Sequence, residues 1–488
     1  MRVSGSANGA SRAMRHFRFL AVGNAVSSYG SYLNMVALNL FAYHLTGSAL
    51  QTGLFMALRL GASFLTGLLA GSAVSRLDRK RVMVTADSTQ AVAMVVLVLA
   101  PVATQSTLLY AIATITGICG TLSSVALRSS IPEIVGADRR VRANALLVTG
   151  RSLAMVAGFA SAGLVIATLG YTAAFIINAL TFAFAALNLA RLPISTRRIA
   201  AAPAADGPAG EAGAKRESLL GAQLTALRFL KAAPILLAMI GLRAIDGFGS
   251  ASHNVGLPVL SSSIDPGNPA AFMSQFWTVW AIGSILAQRA VAWWSKRSER
   301  SINERAFAIG AIVMSLAFIL AFTTPPLIFG ILVALLAGVA DGFTEIAYTS
   351  RLQTAPDEQR GYVFGFSAMA ENFGFGGGMV LCAALMERMS PLAVVAIFHG
   401  LAIVLALAFL AVLVLRRRGR GTAGPTDTGE PARTGDPVPE PAGGVPEVVN
   451  RPTGPTTERG EADMAERSEG VGKLSTSHGP AERSEAGT

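Results

Sequence analysis

Apolar residues run along this chain in long blocks, separated by short polar stretches. The blocks fall at about 17–43, 50–74, 82–103, 107–130, 143–168, 171–191, 234–260, 271–294, 305–323, 326–349, 361–386 and 391–415. About 20 apolar residues of helix cross a bilayer core, so each block is long enough to span one. Within lipid a segment must satisfy its own backbone hydrogen bonds, which leaves helices as the form for such blocks. The pattern predicts an all-α polytopic membrane protein with twelve transmembrane helices. The stretch from Pro193 to Ser218 is rich in Ala, Pro, Gly and charge and divides the spans six and six. The expected organisation is a six-helix half over 1–192, a cytoplasmic linker over 193–225, a second half over 226–418 and a tail over 419–488. After Arg420, Pro, Gly, Glu, Thr and Ser dominate, and Ala465-Glu466-Arg467-Ser468-Glu469 recurs as Ala481-Glu482-Arg483-Ser484-Glu485. That composition lacks an apolar face and reads as a disordered tail.

Charge sets the orientation. Basic clusters occupy every second connection: Arg12/Arg15/Arg18, Arg76/Arg79/Lys80/Arg81, Arg139/Arg140/Arg142, Arg197/Arg198/Lys215/Arg216, Lys296/Arg297/Arg300, Arg351/Arg360 and Arg416/Arg417/Arg418. The intervening connections are nearly free of Lys and Arg, with Arg388 as the exception. Cytoplasmic loops retain basic residues, so both termini are expected in the cytoplasm. The 488 residues are 52% hydrophobic with net charge +11. Because the positive residues sit beside spans, they orient the chain and meet anionic head groups, and no nucleic-acid partner is expected. The first block is too long for a signal-peptide core and reads as a retained span. Cys119 and Cys382 lie inside apolar runs, without metal or disulfide spacing. Gly472-Lys473 lacks the preceding Gly and strand of a phosphate loop. With no nucleophile–base arrangement either, the sequence predicts neither an enzyme nor a cofactor.

Polar residues within the spans cluster by face. At 3.6 residues per turn, Asn24, Ser27, Ser28, Ser31 and Asn39 share a side of span one, and Thr114, Gly117, Thr121, Ser124 and Arg128 one of span four. Arg243, Asp246, Ser250, His253 and Asn254 do so in span seven, and Asp341, Thr344, Glu345, Tyr348 and Thr349 in span ten. Four stripes spaced three spans apart predict a central wet cavity, although single Ser and Thr residues also serve as interhelical glue. A charge at the bilayer centre costs at least about 2.5–3.5 kcal/mol and usually faces a cavity or a partner. Arg243 and Asp246 are spaced to neutralise each other, as an ion pair of structural or functional purpose. Asp341, Glu345 and Glu371 are the candidates for taking up and releasing a proton. Arg59, mid-span, either binds an anionic group or holds a neighbouring helix. Arg151 and Asp87 read as residues snorkelling or pairing with loops at span ends, His253 and His399 as packing residues, and Trp277 and Trp280 first as lipid or packing contacts and otherwise as surfaces tolerant of bulky amphipathic molecules.

Several local patterns carry a family resemblance. They are Gly23-Asn24, Ser27-Ser28, Leu45-Thr46-Gly47-Ser48-Ala49, Ala57-Leu58-Arg59, and Gly71 followed by Arg76-Leu77-Asp78-Arg79-Lys80-Arg81. With them go Arg142-Ala143-Asn144-Ala145, Arg151-Ser152-Leu153-Ala154, Ala174-Phe175, Asn178 and Arg360-Gly361-Tyr362-Val363-Phe364-Gly365. Over about residues 15–418 the chain resembles the major facilitator superfamily, in the branch of bacterial drug exporters and the enterobactin exporter. The resemblance implies two pseudo-symmetric six-helix halves, proton antiport and a monomer. It also implies a gating loop at Gly71, Arg76, Asp78, Arg79 and Arg81. Two positions depart from the family pattern: Ser75 stands where the loop usually has Asp, and Phe159 follows Gly158 where span five usually has Gly-Pro.

The expected function is proton-coupled export of a small amphipathic molecule (a drug, antibiotic or siderophore-like compound) by alternating access about a midplane site. The expected setting is a bacterial inner membrane. Substrate would meet Asn24, Ser27, Ser31, Arg59, Ser124, Arg128, Asp246, Ser250, Asn254 and Tyr348. Uptake or lipid flipping by the same fold, and a transport-inactive scaffold or sensor, remain open alternatives.

Overall fold

The computed structural model describes residues 4–136, 139–193, 227–295, 297 and 304–422, without the side chains at 4–11, 71–76, 141, 295, 357–358, 361 and 417–422. The linker 194–226 and the tail from 423 onward lie outside the described residues.

The first four helices are α1 (Ser4–Thr46), α2 (Ala49–Arg76), α3 (Arg79–Leu99) and α4 (Val102–Val135). The next helical run, Arg140–Arg191, has 52 residues. At 1.5 Å per residue this is about 78 Å, more than twice a bilayer core of about 30 Å, so it cannot be one crossing. It breaks at Gly170, whose φ of 79° and ψ of 176° are non-helical. We label the limbs α5 (140–169) and α6 (171–191). There follow α7 (Pro234–Ile264), α8 (Pro269–Ser295), α9 (Glu304–Ala321), α10 (Leu327–Leu352), α11 (Asp357–Met386) and α12 (Pro391–Thr422). Among the described residues ten helical runs are long and apolar enough to cross a membrane, with the α5–α6 run counted once and the more polar α1 not among them. The twelve expected spans are all helices. Several outrun the expected bounds, α1 at its start and α4 and α12 at their ends, because apolar character stops before helical hydrogen bonding does.

Local chemistry places the breaks. Ser48 caps α2 by accepting from the amide of Gln51, and Asp78 caps α3 by accepting from that of Lys80. Pro101, Pro326 and Pro356 immediately precede α4, α10 and α11, and Pro234 opens α7.

The packing repeats with a shift of six helices. The pairs α2–α4 and α3–α4 recur as α8–α10 and α9–α10, and α1 on the α5–α6 run recurs as α7 on α11. Across the halves, α2 packs on α11 and α5 packs on α8, which are equivalent contacts under the same shift. Small residues bring these pairs close: Gly53 lies against Met379 and Ala383, and Gly163 against Ala270 and Ser274. Both contacts lie toward the end where the loops are poor in Lys and Arg. The buried core follows this division. One cluster runs through both halves, with Leu33, Phe55 and Phe159 joined to Val255, Trp277 and Met379. Toward the basic end it gives way to two separate clusters, one around Phe17, Met83 and Leu189 and one around Leu230, Phe307 and Tyr348. The halves are therefore joined from mid-bundle to the Lys/Arg-poor end, and each has its own core at the basic end.

Candidate functional site

Where the joined core meets the two separate ones lies a cavity of about 520 Å³. The first half supplies Tyr32 and Met35 from α1 and Arg151, Met155 and Phe159 from α5. The second half supplies a longer wall: Arg243, Asp246, Gly247, Ser250, His253 and Asn254 of α7, Trp277 and Trp280 of α8, Phe318 of α9, Asp341 of α10, and Glu371, Asn372 and Phe375 of α11.

The wall of the second half holds a charge network. Arg243 donates through Nη1 to Asp246 Oδ2 at 2.9 Å and through Nη2 to Glu345 Oε2 at 2.5 Å. Its guanidinium carbon lies 5.8 Å from the centre of the Tyr348 ring, within cation–π range. Thr349 donates to the other oxygen of Glu345 at 3.3 Å. Ser367 donates to Glu371 at 2.8 Å, and since its proton is thereby used, Tyr348 donates to Ser367 at 2.7 Å. One guanidinium thus ties α7 to α10, while Tyr348 and Ser367 tie α10 to α11. Asp341 has no ion pair or hydrogen bond among the described residues and lines the cavity. Asp246 is 3% exposed, and its second oxygen has no hydrogen-bond partner among the described residues.

Aromatic rings close the cavity on the side of the joined core. Phe159 of α5 stacks on Trp277 of α8 across the halves with centroids 5.9 Å apart, and Tyr32 meets Phe159 edge-on at 5.2 Å. Trp280 stands perpendicular to Trp277 at 5.3 Å. The departure from Gly-Pro in span five therefore has a visible consequence. Gly158 lets α5 lie against the backbone of α1 at Tyr29 and Leu33, and Phe159 becomes the first half's contact with the opposite wall.

Several expected residues sit elsewhere. Asp246, Ser250, Asn254, Asp341 and Glu371 line the cavity; Glu345 and Tyr348 stand behind its wall, joined to Arg243. Asn24, Ser27, Ser31, Arg59, Ser124 and Arg128 do not line it. The hydroxyl of Ser31 returns to the carbonyl of Ser27, the helix-internal bond of a glue residue. Arg59 lies where α2 presses its backbone on Gly117 of α4. Ser124 and Arg128 are exposed on the basic half of α4. The first half's share of the wall comes from α5 instead of α4, because α5 is the helix that packs against α8. Arg151 corrects the snorkelling reading: α5 starts at Arg140, which carries Arg151 about 16 Å inward, and its Nε donates to the Tyr32 hydroxyl at 2.9 Å. The two histidines are buried and packed against Phe318 as expected, and they also bond to each other. His253 Nδ1 and His399 Nε2 are 3.2 Å apart, and His399 Nδ1 lies 3.1 Å from Ser315 Oγ.

The basic loop of the first half is a staple. Arg79 pairs with Glu133 and donates to the carbonyl of Ser129 at 3.0 Å. Lys80 donates to the carbonyls of Ala190 and Leu192, at 3.0 and 2.7 Å, at the end of α6. Asp78 caps α3 and lies 3.8 Å from Arg81. Gly71 and Arg76 lie at the end of α2, where side chains are outside the described residues. At the opposite end Glu387 of the second half accepts from the amide of Leu50 at 2.8 Å and the hydroxyl of Ser48 at 2.7 Å, which are residues of the first half. Glu133, Lys80 and Glu387 escape sequence reasoning because their partners are backbone groups or residues distant in the chain.

A cavity between two repeated six-helix halves is an arrangement with known relatives. The profile described as Major Facilitator Superfamily matches residues 20–354. The chain belongs to the Major Facilitator Superfamily. The enterobactin exporters EntS of Salmonella paratyphi A and Salmonella typhi are each 24% identical to it over 427 residues, covering 85% of this chain and 96% of theirs. Among solved structures, the nucleoside transporter NupG superposes with a TM-score of 0.63 at 16% identity, covering 82% of this chain and 99% of that one. A structure described under substrate recognition in proton-dependent oligopeptide transporters gives 0.60 at 15% identity, covering 83% and 99%. At that identity the structural likeness speaks for the fold. As a member of this superfamily the chain is a multi-pass membrane transporter.

Proposed function

We propose that the protein is a secondary-active exporter that exchanges protons for a small amphipathic molecule across a bacterial inner membrane, with both termini in the cytoplasm. The observation that carries this reading is the network joining Asp246, Glu345, Glu371 and Tyr348 to Arg243, beside the unpaired Asp341, on the wall of a cavity between the halves. A carboxyl that gains a proton loses its hold on Arg243 or Ser367, and the ties among α7, α10 and α11 change with it. Protons thereby bias a two-state equilibrium, provided the two states bind them with different affinity. With the basic end inside, the joined core lies outward and the cavity is served from the cytoplasm, as loading for export requires. The exporter names among the relatives point the same way.

The test is energised flux. The chain is expressed in an efflux-deficient bacterium challenged with antibiotics and siderophores, with and without a protonophore. Protonophore-sensitive export of at least one compound is expected. Accumulation of compound driven by the gradient would make the protein an importer and overturn the direction. Flux indifferent to the protonophore would overturn the coupling.

A further inference from the structure

The polar groups on the cavity wall describe what it holds, if the cavity is the transport site as proposed above. Asp341 lines it with no ion pair or hydrogen bond among the described residues, and Glu371 lines it while accepting from Ser367 through one oxygen. A carboxyl without a full set of partners that borders a cavity is available to a ligand. The wall therefore offers acceptors.

Charge narrows the class. Arg243 is already committed to Asp246 and Glu345. Asp341 and Glu371 also line the cavity, and no cation pairs with either among the described residues. The remaining guanidinium, Arg151, belongs to the facing half, where it donates to Tyr32. The wall formed by α7, α10 and α11 thus presents carboxyl oxygens in excess, while positive charge stands opposite. A polyanion would place like charges against a desolvated acidic wall, which such sites use to reject partners. A protonated amine finds acceptors there, and Arg151 directs it away from the other side. Rings flank the same space, Phe159 stacked on Trp277 and Trp280 perpendicular to it. Aromatic faces favour flat apolar groups and cations together.

We propose that the cavity selects an aromatic organic cation. Its protonated amine docks on the wall holding Asp341 and Glu371, and its ring system lies against Trp277 and Phe159.

The test uses full-length protein in nanodiscs and three pyrenes of similar size: 1-pyrenemethylamine, 1-pyrenemethanol and 1-pyrenecarboxylate. Energy transfer from tryptophan to pyrene reports binding, and the part lost in a Trp277→Phe, Trp280→Phe variant is the part that occurs in the cavity. The amine is expected to bind about tenfold or more tighter than the alcohol, the range of a charge-assisted hydrogen bond, with the carboxylate weakest. In an Asp341→Asn, Glu371→Gln variant, with helicity and monodispersity checked, that preference should vanish while the alcohol still binds. Cavity binding of all three with no preference, or with the carboxylate tightest, would overturn the cation assignment and leave the transport site standing. No tryptophan-dependent binding of any of them would overturn the assignment too, and the exporter reading would then rest on its flux assay alone.

Discussion

Arg243 is the residue on which most of the buried charge depends. It is the only cation paired with Asp246 and Glu345 among the described residues, and its side chain is 15% exposed. Removing one partner of a buried ion pair costs about 3–5 kcal/mol, because the other charge is left without compensation. Arg243→Leu should therefore lower the thermal unfolding temperature of the purified protein and abolish flux, whereas Arg243→Leu combined with Asp246→Asn should recover much of the stability and little of the flux. Recovery of neither would mean that Arg243 acts through something besides charge balance. The sequence showed this pair by its spacing of three, and it showed Asp341, Glu345 and Glu371 by their presence in apolar runs. It did not show that Glu345 belongs to Arg243 while Asp341 stands alone, since that depends on how α10 turns against α7. Arg151 was misjudged for a similar reason: the apolar block starts later than the helix, so its depth was underestimated.

Between elements, the joined end of the halves depends on two close helix pairs and one polar contact. A side chain at Gly53 would collide with Ala383, and one at Gly163 with Ser274. Gly163→Leu should wedge α5 from α8, and spin labels placed on the two helices should report a longer distance; an unchanged distance would show that the contact yields locally. Glu387 adds a charged acceptor at the first turn of α2. The Leu50 amide, and after it the Ser48 hydroxyl, hold this carboxyl below its ordinary value of 4.5. The sign follows from that shift. A carboxyl with a lowered pKa stabilises the joined state above its unpaired value, and the contribution is lost as pH falls through the lowered one. Acidifying the Lys/Arg-poor side below about 4.5, or Glu387→Ala at neutral pH, should raise the population of a longer distance between spin labels on α2 and α11. The rise should reach up to about fivefold, the range of an exposed charged contact. Equal distance distributions at both pH values would remove Glu387 from gating. The helices themselves were legible as apolar blocks, and the break at Gly170 as a short connection. The contacts α2–α11 and α5–α8 were not legible, because small residues that permit close approach look the same in a sequence as small residues that merely fill a helix.

For the whole molecule, the six-plus-six plan was readable from the alternating loops and the central polar stretch, and the superfamily profile agrees with it. Of the four striped helices, α1, α7 and α10 line the cavity and α4 does not, while α5, α8, α9 and α11 line it as well. Truncation after Thr422, where α12 ends, should leave flux per molecule in the membrane unchanged; loss of flux would give the tail a working role. Another feature bears on the transport cycle. Along the contact of α8 with α10, side chains at Gly283, Gly338 and Gly342 would collide with the backbone of the facing helix. Backbones this close leave no room for sliding, so Trp277, Trp280 and Asp341 travel as a single rigid jaw. Under the proposed cycle, its shape stays fixed between the two compartments and only the protonation of its carboxyls changes. The change of shape between capture and release then falls to the opposing jaw, where Tyr32, Arg151 and Phe159 approach or withdraw. Evolving a new cargo therefore calls for changes on the α8–α10 side, and changing how readily cargo is let go calls for changes on the α1–α5 side.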